Sequence, residues 1–391
     1  MISPLRRKVL RDLRRLWAQV LAIALVLAAG VATLILGNGA YSALHETRAR
    51  YYEENRFADV FADVTRAPRA LLAEIEEIPG VLDAEARIVK LGLLDLEGMK
   101  EPGSVLFVSL SETDTGLNQL YLRLGRLPDP QSAQEIVISD GFATAHGLGP
   151  GDTLPVLMNG QQRRLQITGV ALSPEFIYAL GPGQMMPDPR RFGIVWAPRA
   201  SLEAAFDLEG AFSNVVLKLA PGANVDRVIE TLDHMTAAYG GIGAAPRSDQ
   251  ISHAFLDAEL KQLSAMVKVL PPIFLLVAAM LVNMTLSRLI TLEREQIGLL
   301  KAIGYTSRAV AQHYIEFVLL IAVVGIAIGM AAGTGLGAGL AQMYARFFSF
   351  PYLVFSRDPQ IYGLAAVITL ASAIGGAVYA VRTVVRLPPA V

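Results

Sequence analysis

Residues 16–37 run for 22 positions without a charged side chain, and this stretch constrains the chain more than any other feature. At about 1.5 Å of rise per residue, a helix of that length crosses the roughly 30 Å hydrocarbon core of a bilayer. Arg6, Arg7, Lys8, Arg11, Arg14 and Arg15 precede it against one acid, Asp12. The positive-inside rule then keeps residues 1–15 in the cytoplasm and sends the chain out on the far side. A cleaved signal peptide is the competing reading, because the small residues Ala28-Ala29-Gly30 follow a basic start. Signal cores usually run about 7–15 residues, and this one is longer.

Three more apolar runs follow, at 269–289, 312–340 and 361–381. Arg288, Arg294, Lys301 and Arg308 lie around 290–311, and Arg382 and Arg386 follow the last run, which places that segment and the tail 382–391 with the amino terminus on the cytoplasmic side. Residues 341–360, with Pro351, Arg357 and Asp358, form the outer loop. The expected fold class is an α-helical membrane bundle of four transmembrane helices plus an α+β extracytoplasmic domain inserted between spans 1 and 2. A hydrophobic content of 53% and a mean hydropathy of +0.43 agree with membrane spans.

Residues 38–265 read as that domain, and it is acidic: residues 40–265 hold 19 Lys plus Arg against 30 Asp plus Glu, 19 − 30 = −11. Alternating or β-branched stretches predict strands at 57–65, 86–96, 105–110, 135–139, 154–158, 164–170, 193–196 and 214–219. Pro68 predicts the first turn of a helix over 69–78 that Pro79-Gly80 ends, and a second helix is expected near 201–206. The turns Gly149-Pro150-Gly151-Asp152 and Asn159-Gly160 punctuate the strands. Residues 178–191 read as a loop carrying Met185 and Met186. Its methionines either tuck onto the domain or present a mobile surface to a partner or an apolar cargo. Span two should open at Pro271-Pro272.

Between spans two and three lies Glu293-Arg294-Glu295-Gln296-Ile297-Gly298-Leu299-Leu300-Lys301-Ala302-Ile303-Gly304. Ile297, Leu300 and Ile303 recur every three residues and give one apolar stripe, with Glu293, Arg294 and Lys301 on the polar side. This predicts a short helix on the membrane surface, ended by Gly304 and followed by a cap at Thr306 or Ser307. Gly325, Gly329, Gly333 and Gly337 recur every four residues on one face of span three, so two helix backbones can approach closely there. Packing within the chain and packing across a dimer both satisfy the pattern.

No span has an ionisable residue near its centre, and Asn283 is the most polar inward candidate, which argues against an ion- or proton-coupled carrier. His313 and Glu316 could relay protons or simply sit solvated at the interface. His45, His146, His234 and His253 lack metal-ligand spacing, and 0 cysteines exclude thiolate chemistry. There is no Gly-x-x-x-x-Gly-Lys-Ser/Thr loop and no Gly-x-Ser-x-Gly elbow, and the acid pairs Glu53-Glu54 and Glu76-Glu77 read as solvated faces. A net charge of −1 gives no footprint for nucleic acid. If the bundle is driven, the energy comes from another polypeptide.

In its span order and in residues 294–304, the chain resembles the FtsX-like permease family of MacB- and LolC-like ABC-transporter membrane subunits. That segment is similar to the family pattern Arg-x-Glu-Ile-Gly-x-Leu-Lys/Arg-Ala-Leu-Gly, with Gln296 and Ile303 as departures; residues 79–81 and 147–152 are weaker matches. The resemblance implies a MacB-like periplasmic core domain over 38–265 and no catalysis in this chain, with ATP and Mg bound by a separate ABC ATPase subunit. Glu293, Arg294, Glu295, Gly298, Lys301 and Gly304 would couple to that ATPase. It further implies an inner or plasma membrane location, a second permease copy, a periplasmic adaptor and contact with membrane lipid. The expected function is export or extraction of a lipid, lipoprotein or hydrophobic compound. The alternatives are a mechanotransmitter acting on an external enzyme such as a cell-wall hydrolase, and a membrane-anchored sensor. Residues 386–390 resemble a lead into a second set of spans, so the chain is expected either to pair with another copy or to be a shortened two-unit protein.

Overall fold

A computed structural model describes residues 4–94, 103–113, 115–355 and 358–386. The expected strand end at 95–96, Arg357 and residues 387–391 lie outside them. In chain order the elements are α1 (Pro4–Arg15), α2 (Trp17–Glu54), β1 (Val60–Pro68), α3 (Leu71–Glu76), β2 (Val81–Arg87), β3 (Val89–Leu94), β4 (Ser104–Ser109), β5 (Tyr121–Gly125), β6 (Glu135–Ser139), α4 (Asp140–His146), β7 (Thr153–Met158) and β8 (Gln161–Leu172). They continue with β9 (Phe192–Ala197), α5 (Arg199–Phe206), β10 (Ala211–Leu219), α6 (Val225–Thr236), β11 (Ala244–Pro246), α7 (Ile251–Leu292), α8 (Arg294–Ala302), α9 (Ser307–Phe347) and α10 (Pro359–Arg386). The chain divides into two compact units, one of residues 1–45, 260–343 and 354–391, the other of 46–259 and 344–353.

Four helices, α2, α7, α9 and α10, are long and apolar enough to cross a membrane. In the first unit they share a core with α1 and α8, in which Val9, Leu27, Val282, Ile297, Tyr314, Phe317 and Ala377 are buried together. The glycine face of α9 packs onto α2 of the same chain. A Cβ built on Gly325 would lie 2.8 Å from the Ala24 carbonyl oxygen, on Gly329 2.6 Å from Val31 Cβ, on Gly333 2.9 Å from Ala32 Cα and on Gly337 3.2 Å from Leu36 Cα. Only a residue without a side chain allows backbones this close. Pro271 and Pro272 sit inside α7 rather than opening a span, because the helix runs on unbroken from Ile251 on their amino-terminal side.

The second unit combines two sheets. One is antiparallel, ordered β11-β1-β10-β2, with α3 and α6 completing the core around Val60, Ile75, Phe212, Val215 and Leu232. The other runs β5-β8-β6-β9-β4-β3-β7, and β7 also pairs β8 from Thr153↔Gln166 to Met158↔Gln161. That last pairing closes six strands into a barrel, and β5 adds to the far half of β8 as a fully exposed edge. Ile88, Phe107, Ile138, Phe142, Val156 and Val195 fill its buried core.

Two expectations fail here for local reasons. Pro68 ends β1, pairing Ala211, instead of entering a helix, and the helix is the shorter Leu71–Glu76. The single strand expected from residue 86 is two, β2 pairing β10 and β3 pairing β4, so the chain changes sheets at Ile88. Met185 and Met186 are 89% and 68% exposed, so they are not tucked onto the domain.

A candidate coupling site on the short helix between spans two and three

α8 follows α7 with Glu293 as the one non-helical residue between them, and the backbone ladder continues through it: Glu293 N–H bonds the Leu289 carbonyl and Ile297 N–H bonds that of Glu293, both at 2.9 Å. α8 therefore runs on from α7 almost without interruption, and the expected turn closes its carboxyl end. There Gly304 adopts φ 102°, Tyr305 N–H donates to the Leu300 carbonyl at 3.0 Å and Gly304 N–H to that of Lys301 at 3.1 Å. This is the two-bond arrangement that ends a helix with a left-handed glycine. Thr306 Oγ1 then accepts from Ala309 N–H at 3.2 Å and opens α9.

The helix has a fastened side and a presented side. Ile297 and Gly298 are buried, and Leu300 and Lys301 are half-buried. Arg294, Glu295, Leu299 and Ile303 are exposed, so the predicted stripe of Ile297, Leu300 and Ile303 holds only in part. Ile303 is 67% exposed, because at 3.6 residues per turn two three-residue steps carry it about 120° around the helix from Ile297.

Glu293 overturns its expected role as an exposed charge. Its side chain is 6% exposed, and one oxygen, Oε2, accepts from Lys8 Nζ at 2.6 Å and from the Tyr314 hydroxyl at 2.9 Å. Lys8 Nζ also donates to Asp12 Oδ2 at 2.9 Å, and His313 Nε2 lies 3.5 Å from that oxygen. Burial acts to raise the Asp12 pKa, but hydrogen bonds from His313 and Lys8, together with their charges, outweigh it and hold the carboxyl below its ordinary value. A buried carboxylate without such partners would be costly, so α1, the start of α8 and the start of α9 are tied together by mutual need.

His313 therefore faces Asp12, not Glu316, whose Oε1 accepts from Gln312 at 3.4 Å. The relay alternative is not assembled, and His313 is buried rather than solvated at the interface. Sequence reasoning missed Lys8, Asp12 and Tyr314 as members of the cluster. The available signal was an acid among six cations in α1, which has little reason to be there unless it is paired inward. Asn283 has a buried Oδ1 with no hydrogen-bond partner among the described residues. Among those residues no group of three or more His, Asp or Glu is placed to hold a metal ion.

The sequence profile of the MacB-like periplasmic core domain matches residues 18–235, and that of the FtsX-like permease C-terminal region matches 269–389. The chain belongs to the MacB-like, FtsX-type permease family. Together the two profiles cover both units, so this is a multi-pass membrane permease of the ABC-transporter type. No curated protein matches at a significant level. Solved structures similar to the extramembrane part include the periplasmic region of MacB from Actinobacillus actinomycetemcomitans, at 12% identity, covering 51% of this chain and 92% of that one, with a TM-score of 0.32. The extracellular domain of the noncanonic ABC-type transporter YknZ from Gram-positive bacteria is 13% identical over 48% of this chain and 98% of that one, TM-score 0.32. A domain of a permease protein from Porphyromonas gingivalis is 18% identical over 47% and 81%, TM-score 0.28. At these scores the family assignment rests on the two profiles.

Proposed function

We propose that this permease couples ATP hydrolysis by a separate ABC ATPase to movement of its extramembrane domain, and that α8 receives the push. The observation that carries this reading is the two-sided character of α8. One side is anchored by Ile297, Gly298 and the Glu293 cluster, while Arg294, Glu295, Leu299 and Ile303 stand exposed for a partner. A displacement of α8 that is fastened through Glu293 to Lys8 and Tyr314 pulls α1 and α9 with it, and α1 leads directly into span one. Mg and ATP belong to the partner.

The family assignment supports a second permease copy, homologous or identical, in the working assembly. Both termini and α8 face the cytoplasm in this reading, and the acidic domain faces the envelope or exterior. The cargo is a lipid, lipoprotein or other hydrophobic compound, exported or extracted, and the exposed methionines of the 178–191 loop offer it, or an adaptor, an apolar contact. The test is charge reversal on the presented side. Glu295→Lys should reduce ATPase capture by the membrane-embedded chain severalfold without lowering its thermal stability. Retention of full capture would reject α8 as the docking element.

A further inference from the structure

Three helices of the first unit enclose a groove of about 640 Å³, within the range of small-molecule sites. On α7 its wall runs from Ser264 through Lys268, Pro271 and Leu275 to Ala279, all on one helical face. Leu34 and Asn38 of α2 and Leu364 and Ile368 of α10 stand opposite. The groove has a polar end and an apolar end. Asn38, Tyr41, Ser264 and Lys268 gather where α2 and α7 continue toward the extramembrane domain, and from Pro271 to Ala279 the α7 wall is apolar. Those eight steps rise roughly 12 Å, close to the roughly 15 Å depth of one leaflet's hydrocarbon.

Among the described residues Lys268 is the one charged side chain in the lining, and it is exposed. Among the described residues no acid lines the groove to neutralise it. Pro271 and Pro272 add acceptors at the same level: lacking N–H groups, they leave the carbonyls of Val267 and Lys268 without their normal helix donors. Both residues line the groove. Backbone carbonyls at the edge of the hydrocarbon need donors from elsewhere. The groove therefore presents a cation beside two carbonyls that lack their usual helix donors, above an apolar slot.

We propose that this groove holds a glycerophospholipid of the leaflet on the extramembrane-domain side, with one acyl chain along Pro271–Ala279, its phosphate on Lys268 and a hydroxyl- or ammonium-bearing headgroup donating to the Val267 and Lys268 carbonyls. Charge complementarity selects the phosphate and the proline-freed carbonyls select a headgroup that can donate. The inference rests on the four helices crossing a bilayer and not on α8 docking an ATPase, so ATPase capture provides an independent readout.

The experiment uses the full chain, delipidated and titrated in detergent with phosphatidylglycerol or phosphatidylcholine, with lipid-bound species counted by native mass spectrometry. Wild type should bind one phosphatidylglycerol severalfold more tightly than phosphatidylcholine, whose headgroup has no donor. Lys268→Gln should weaken phosphatidylglycerol binding roughly tenfold or more, the loss of one charge-assisted contact. Ile368→Trp, which fills the slot, should abolish binding of both while α8 still captures the ATPase. Equal affinity for the two lipids in wild type, or binding unchanged in both variants, would overturn the proposal and leave only annular contact.

Discussion

Replacing glycine by alanine along α9 separates close helix contact from mere flexibility. At Gly329 the new Cβ would stand 2.6 Å from Val31 Cβ and 2.7 Å from the Ala28 carbonyl oxygen, against an ordinary contact of 3.4 Å or more. A backbone oxygen cannot rotate aside, so α2 and α9 must separate by nearly 1 Å. Overpacking of this kind costs about 1–3 kcal/mol, and alanine returns about 0.8–1 kcal/mol of helix propensity, so the net loss is about 0–2 kcal/mol. Gly335 and Gly339 lie on the same helix with no foreign atom within 4 Å of a built Cβ, so alanine there should be neutral or stabilising by up to about 1 kcal/mol. The ranking by clash is Gly329, then Gly325 and Gly333, then Gly337, with Gly335 and Gly339 as internal controls. Thermal unfolding of the detergent-purified chain, followed by intrinsic fluorescence, reads the difference; at about 2–4 °C per kcal/mol, Gly329→Ala should melt a few degrees below Gly335→Ala. Equal melting temperatures for these two variants would refute the contact, and a loss of dimer with an unchanged melting temperature would move the glycine face to a subunit interface.

Three further outcomes follow from the polar clusters. Lys8→Met removes the cation shared by Asp12 and Glu293 and should destabilise the chain by about 2–4 kcal/mol, whereas Glu293→Gln, which still accepts from Lys8 and Tyr314, should cost less than half of that in the same thermal assay. In the extramembrane unit Arg87 is buried with a two-pronged bond to Glu175, 2.6 and 3.0 Å, and Glu175→Leu should cost about 3–5 kcal/mol in denaturant unfolding because it removes the carboxylate and leaves the buried guanidinium the uncharged Asn214 oxygen. Glu135 accepts from Arg126 at 2.7 and 2.8 Å and from Asp129 N–H at 2.8 Å, which lowers its pKa to about 2. Its folded-state value is depressed, so the stability it gives is complete above about pH 4.5 and is lost as pH falls toward 2; nuclear magnetic resonance titration should show that midpoint, and Arg126→Gln should raise it.

Much of the architecture is legible in the sequence because membrane crossing imposes a length and a charge asymmetry that no local detail can override. The spans, the inserted α+β domain and strands such as β6 come directly from apolar run length and alternation. What is hidden depends on partners distant in the chain. Glu293 looks like one more polar residue of a short helix until Lys8, 285 positions away, fixes it inward. The spacing of His313 and Glu316 predicts contact along one helix, yet Asp12 wins His313 from another element. The glycine face announces a close neighbour without naming it, since α2 and a second copy would demand the same small residues. Pro68 satisfies a helix start and a strand end equally well, and pairing with β10 decides it. α6 was legible and overlooked: Asn224 accepts from Arg227 N–H at 3.1 Å, and Val228 and Leu232 follow at helical spacing.

The coupling claim is tested most directly by purifying the tagged full chain from its native membrane and measuring co-purifying ATPase activity, wild type against Glu295→Lys. The account predicts an ATPase bound to wild type and released severalfold by the substitution, with the permease itself equally stable. ATPase activity absent from wild type, or bound undiminished to Glu295→Lys, would contradict it.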